Sequence, residues 1–176
     1  MIVRILMWLV MILGGGALGI FLDRRWFPLL QGSISFHVLS FALGLPVFWL
    51  VMRISRNTGR LLAREGRKGD LPRGDTNRLV TGGVYACMRH PMHLGLLLFP
   101  LSLALLIGSP VFILLIAPLE SLFILAMVKL VEEPEAIAKF GEAYREYQQR
   151  VPMFNLRPDC LRLLLFENHN VGGTKL

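Results

Sequence analysis

Two short stretches of this chain hold the side chains best suited to chemistry. The first is Thr81-Gly82-Gly83-Val84-Tyr85-Ala86-Cys87-Met88-Arg89-His90-Pro91-Met92-His93-Leu94-Gly95. The second opens Glu132-Glu133-Pro134-Glu135, continues Phe140-Gly141-Glu142-Ala143-Tyr144-Arg145-Glu146-Tyr147 and closes Arg150-Val151-Pro152. Arg89 can grip a carboxylate through its fork of N–H groups, and His90 can donate beside it. A glutamate can pair with an ammonium, and aromatic faces can pack on a cation. Ordinary uses compete: Arg89 and His90 could be interfacial charges, and the tyrosines could be packing or membrane-surface contacts. Cys87-x-x-His90-x-x-His93 has the look of a metal set. However, Pro91 interrupts a regular i,i+3 face and no fourth ligand is evident, so no metal is expected.

The elements that must position these residues are mostly apolar. The chain has 176 residues, 54% of them hydrophobic, with a mean hydropathy of +0.56. Length suits one domain, and the apolar residues run together in stretches long enough for membrane spans. Residues 5–22 carry no charge and contain Gly15-x-x-x-Gly19, a pattern that lets helices approach closely. A signal peptide with Arg4 as its n-region is the rival there, but the apolar run continues through Ile20, Phe21 and Leu22. A second span covers 34–52, with Pro46 inside. Residues 92–131 are too many for one helix, and Gly108-Ser109-Pro110 divides them into a tight hairpin of spans at 92–107 and 111–131. The expected fold is all-α: a polytopic membrane protein of about four transmembrane helices with an amphipathic helix near the C-terminus.

Charge sets the orientation. Of 19 Lys and Arg, nine lie between Arg53 and Arg89 against three acids, and seven lie from Lys129 onward. Both clusters flank apolar runs, as the positive-inside rule expects, so loop and tail are placed in the cytoplasm together with the N-terminus. The basic residues form no aromatic-interleaved patch, which argues against nucleic acid despite the net charge of +7. Cys87 and Cys160 both fall in cytoplasmic segments and are expected as free thiols. The expected layout is 1–53, two N-terminal transmembrane helices; 54–91, a basic cytoplasmic loop; 92–131, the hairpin; 132–158, a cytoplasmic helix with its Val-Pro stop; and 159–176, a tail of unreadable role. In the fourth segment Ile137, Phe140, Tyr144, Tyr147 and Val151 share one face of a helix running to about Gln149, opposite Lys139, Glu142, Arg145, Glu146 and Gln149.

The paired motifs, in this order and separated by two spans, resemble the isoprenylcysteine carboxyl methyltransferase family over roughly residues 79–152. The resemblance implies S-adenosylmethionine as methyl donor and a hydrophobic or lipid-linked acceptor at the bilayer. It implies catalytic roles for Arg89 and Glu133. It also implies cofactor contacts from Tyr85, Arg89, His90, Pro91, Gly95, Glu132, Glu133, Phe140, Tyr144 and Tyr147. His93 stands where a tyrosine is usual, and Met153 where an arginine is common. Phospholipid N-methyltransferases have similar motifs, though no Gly-x-Gly follows the Arg-His-Pro here. Sterol reductases share the tail helix but use a nicotinamide cofactor. Glu120 lies outside the resemblance. A lone carboxylate at mid-span costs about 2.5–3.5 kcal/mol, so it should face protein or a water-filled cavity. Glu120 is then either a protonated glutamate bonded to a neighbouring helix or, with His93, part of the acceptor's path. Oligomeric state is open.

Overall fold

The structure is a computed structural model that describes residues 2–70 and 76–166, with side chains from Leu6. Of the tail expected at 159–176, residues 167–176 lie outside the described part. Among the described residues the chain is all-helical. Among the described residues three helices are long and apolar enough to cross a membrane, Leu6–Trp26, Ile34–Glu65 and Phe112–Phe140, and a shorter apolar helix covers Pro91–Ile107. The chain folds as two compact units, Met1–Val51 with Leu96–Ala126, and Met52–Gly95 with Met127–Leu176.

The first unit is built on close helix contacts. Helix α1 (Ile2–Trp26) is followed by a single turn α2 (Pro28–Gln31) and by α3 (Ile34–Glu65). After α4 (Pro91–Ile107) the backbone turns at Gly108, φ +71°, and a π turn Phe112–Ile116 leads into α5 (Ala117–Met127). Gly15 and Gly19 of α1 face the chain between Ser109 and Glu120. A Cβ on Gly15 would collide with Glu120 Oε1, and one on Gly19 would sit 2.8 Å from Ser109 Oγ and 2.9 Å from Phe112 Cβ. One turn further along α1, Asp23 is buried and accepts the Val111 N–H at 2.8 Å, meeting a donor that the helix start leaves open. Ser40 donates to the Leu105 carbonyl and Ser121 to the Leu97 carbonyl, each at 2.7 Å. Hydroxyls used this way join apolar helices without leaving a polar group unpaired. Outward side chains such as Val10, Leu13, Val38 and Leu114 are 64–72% exposed. Lipid rather than water would cover them.

The second unit departs from the sequence reading in three places. The segment 54–91, expected as a loop from its charges, begins as helix, because α3 continues to Glu65. Ile54, Thr58 and Leu61 repeat at helical spacing and are all buried, so the charged stretch has an inward face that its composition hid. The tail helix, expected as one piece, is two: α6 (Glu133–Phe140) and α7 (Glu142–Arg150). Gly141 divides them at φ +60°, ψ −134°, a conformation open to glycine and strained for other residues. The cysteines, expected as free thiols, are joined as a Cys87–Cys160 disulfide with Cα atoms 5.7 Å apart. Helix α8 (Pro158–Leu165) brings Cys160 back to the motif segment. Its last carbonyls are held by α3: Arg53 Nε donates to Leu165 O at 3.0 Å, and Asn57 Nδ2 to Leu164 O and Leu165 O at 3.1 and 2.8 Å.

Candidate functional site

The site assembles inside the second unit from three pieces: the segment before α4, the start of α6, and α7 with the extended residues after it. A 3-10 turn at Gly83–Ala86 buries Val84 and Tyr85, and Met88 is fully buried. Arg89 N–H then donates to Pro152 O at 2.9 Å and His90 N–H to Met153 O at 3.2 Å. These backbone bonds lay the Arg-His pair alongside the Val-Pro stop. Tyr147 Oη donates to Tyr85 O at 2.5 Å, fastening α7 to the same segment.

Arg89 lies at the centre of the cluster. Its Nε and Nη2 donate to Glu133 Oε1 at 3.0 and 2.5 Å, and its Nη1 to Gln148 O at 3.1 Å and to Val151 O. Four of the guanidinium's five N–H groups are therefore committed. Arg89 and Glu133 side chains are 8% and 9% exposed. At that burial each charge depends on the other. Gln148 Nε2 holds the second Glu133 oxygen at 3.0 Å. His90 Nε2 lies 3.3 Å from Glu133 Oε1 and 3.4 Å from Tyr144 Oη. Burial, helped by His93, pushes the His90 imidazole down to about 4 against the pull of Glu133, so at neutral pH it is an uncharged donor. Burial raises the phenols: Tyr85 to about 12, with Tyr144 and Tyr147 also raised, Tyr144 further by Glu133.

The remaining expected residues are distributed around this core. Pro91 is buried as the first residue of α4. Gly95 faces Ile54, whose Cγ2 lies 3.0 Å from where a Cβ would be, so it serves helix contact rather than a ligand cradle. Phe140 is half-buried with Lys139 Nζ 5.6 Å from its ring centre. Glu132 Oε2 pairs with His93 Nε2 at 3.5 Å. Cys87 is spent in the disulfide, so the Cys87, His90, His93 spacing does not make a ligand set. Glu120 falls in the first unit, 5% exposed, with Oε1 against Gly15 and Oε2 buried without a hydrogen-bond partner among the described residues. A hollow of about 450 Å³ is lined by Leu79, Thr81, Ala86, Ala143, Glu146, Tyr147, Arg150 and Val151. Of these, the sequence places only Glu146 on the polar face of the tail helix, with Tyr147 and Val151 on its apolar face, and the concavity forms where Leu79, Thr81 and Ala86 come beside them.

An all-helical chain with membrane-length helices and a buried Arg–Glu pair between two sequence motifs defines a recognisable class. The family model for phospholipid methyltransferase matches residues 37–143, and the chain belongs to that family. The protein-S-isoprenylcysteine O-methyltransferase of Schizosaccharomyces pombe is 32% identical over 80 residues, which cover 46% of this chain and 34% of that one. The structure of the eukaryotic intramembrane Ras methyltransferase, an isoprenylcysteine carboxyl methyltransferase, superposes with a TM-score of 0.58 at 26% identity. That match covers 82% of this chain and 51% of the other. The chain thus spans between a third and a half of the length of these relatives. Both are the kind of protein that the paired motifs resemble.

Methyl donors of this class carry a carboxylate, an ammonium, a sulfonium and an adenine, and the donor set present here suits them. Arg89 and Glu133 are complementary to the two ends of an amino acid, and the tyrosine cluster offers aromatic surface. The adjoining hollow is within the size range of small-molecule pockets.

Proposed function

We propose that this chain is an integral membrane methyltransferase that moves the methyl group of S-adenosylmethionine to a hydrophobic, membrane-associated acceptor. The observation that carries the proposal is the buried Arg89–Glu133 pair, which ties the Arg-His-Pro motif to the Glu-Glu motif in one cluster. Arg89 and Glu133 would hold the amino-acid end of the donor, exchanging their mutual contact for its carboxylate and ammonium. His90, uncharged, would donate a hydrogen bond beside them, and Tyr85, Tyr144 and Tyr147 would supply neutral aromatic walls. The bound donor contributes a methyl group made electrophilic by its sulfonium. The chain contributes alignment and exclusion of water, which such a displacement mainly needs. Thr81, Glu146 and Arg150 in the hollow are candidates for the donor's polar groups.

Four spans with both termini in the cytoplasm place this site at the inner face of the bilayer. Arg89 precedes α4, and Glu133 follows the helix after it. In this reading the chain between them returns to the side it left and α4 and Phe112–Phe140 would form a membrane hairpin, which the contact between Arg89 and Glu133 supports. Helices α6 and α7 then act as the amphipathic element, with Tyr144 and Tyr147 buried while Glu142, Arg145 and Glu146 are exposed. The family match to phospholipid methyltransferase supports a second reading of the acceptor, a lipid amine.

Calorimetry on the detergent-purified chain tests the proposal. Binding of S-adenosylmethionine or its demethylated product, without binding of NADPH, is the expected result. Binding of NADPH alone would replace the methyltransferase with a reductase.

A further inference from the structure

His93 stands in the first turn of α4, and its surroundings differ from those of its neighbour. The His90 ring is locked between Glu133 and Tyr144. His93 Nε2 faces Glu132 Oε2 at 3.5 Å, with side-chain exposures of 14% and 34%. Its ring meets His90 edge-on with centroids 5.4 Å apart. The ionisable groups around it are thus Glu132 from the turn leading into α6, His90 from the segment before α4, and the Arg89–Glu133 pair beyond His90. An imidazole with one nitrogen turned to a carboxylate is held with N–H on that side and a basic lone pair on the other, and the carboxylate stabilises the imidazolium when it forms.

We infer that His93 is the general base of the proposed transferase, that Glu132 is its positioning residue, and that the acceptor is a hydrophobic molecule whose nucleophile arrives protonated, an ammonium or a thiol. This rests on the methyltransferase reading above. An ionised carboxylate can take a methyl group without losing a proton and would leave the His93–Glu132 pair unused. An ammonium or thiol cannot. His93 Nδ1 takes the proton from the nitrogen or sulfur, and the freed lone pair forms the bond to the methyl carbon. The methyl–sulfonium bond breaks with its electron pair passing to sulfur, and the donor leaves as a thioether. Charge and atoms balance, with the proton released from the imidazolium to solvent after each turnover.

The test uses the full chain in nanodiscs with isotopically labelled S-adenosylmethionine and three acceptors: phosphatidylethanolamine, dodecanethiol and N-acetyl-S-farnesylcysteine. Label is expected in the amine or the thiol, with kcat rising along one limb as pH increases. H93N should lower kcat by about 100-fold or more and flatten that limb, with affinity for S-adenosylmethionine unchanged. Added imidazole should restore turnover to H93G, which a packing role would not allow. E132Q should lower kcat, and E132D should restore part of it, because the shorter carboxylate can still orient the ring. Label in the farnesylcysteine carboxylate alone, full kcat in H93N, or donor binding with no transfer to any of the three would overturn the inference. Failure of the wild-type chain to bind the donor would instead bring down the methyltransferase reading beneath it.

Discussion

At the scale of single residues, the cluster is a closed set of bonds. Arg89→Ala would strand Glu133, 9% exposed, without its counter-charge, a change that costs about 3–5 kcal/mol when a buried pair is broken. Thermal unfolding in detergent should therefore show a large drop, and Arg89→Ala with Glu133→Gln should recover part of it because the stranded charge is gone. If Arg89 also holds the donor, that recovered double variant will still fail to bind S-adenosylmethionine by calorimetry; restored binding would leave Arg89 a structural clamp. His90 gives a pH test. Its folded-state value near 4 lies below the ordinary 6.5, so the unfolded chain takes up more protons between the two. Stability is full above pH 6.5 and falls as pH drops toward 4, by roughly 2 kcal/mol at pH 5. Melting curves at pH 7 and pH 5 should show this loss in the wild type and not in His90→Gln. Arg89 and Glu133 stand among the site residues that the resemblance implies, but their pairing with each other is not read from the sequence. Nor are the carbonyls of Gln148 and Val151, since a backbone acceptor leaves no trace in residue type.

At the scale of elements, what sequence revealed depended on whether a residue's contacts are local. Gly15-x-x-x-Gly19 reads as a helix contact because small residues four apart make one face, and the structure fills that face with Glu120, Ser109 and Phe112. Substitutions on α1 should thus divide sharply. Gly19→Ala forces its Cβ to within 3 Å of two side-chain atoms, while Gly14 has nothing within 4 Å. Overpacking of this kind costs about 1–3 kcal/mol, so Gly19→Ala should lower the melting temperature and Gly14→Ala should leave it unchanged. The continuation of α3 past Met52 was hidden by its four arginines, which suggested a loop. Its Ile54, Thr58, Leu61 repeat was available and carried the correct signal. The break at Gly141 was hidden for the opposite reason: the apolar period runs through it unchanged, with Tyr144 and Tyr147 still buried. The disulfide was missed because compartment argues about oxidants and says nothing of distance. It closes a loop of 73 residues, and cross-links of that kind contribute about 2–4 kcal/mol. Cys160→Ser should lower the melting temperature by an amount equal to that caused by reductant on the wild type, and reductant should have no further effect on the variant.

At the scale of the whole molecule, topology and redox state constrain each other. Residues 112–140 exceed the length of one span, and α3, at 32 residues, extends well beyond the roughly 30 Å of hydrocarbon. Helix α4 has 17 residues, the short end of what can cross. Length alone would permit α4 to dip into the bilayer and return, in which case residues before it and after Phe112–Phe140 would lie on opposite sides. The Arg89–Glu133 contact favours the proposed hairpin instead, because an ion pair does not form across roughly 30 Å of lipid. In the proposed orientation the nine basic residues from Arg53 to Arg89 would put both on the cytoplasmic side. With Cys87 and Cys160 replaced, cysteines at exposed Gly69 and Glu142 should react with impermeant thiol reagents only after the inner face is opened, and one at Gln31 from outside. Reaction of positions 69 and 142 from opposite faces would dismantle the site. Reaction of both from outside would preserve it but invert the protein, placing Cys87 and Cys160 where disulfides persist. In the cytoplasmic orientation the same pair meets a reducing pool, so alkylation in intact cells before lysis should find the two thiols substantially free. The redox state of this pair in cells therefore reports the orientation independently of the labelling.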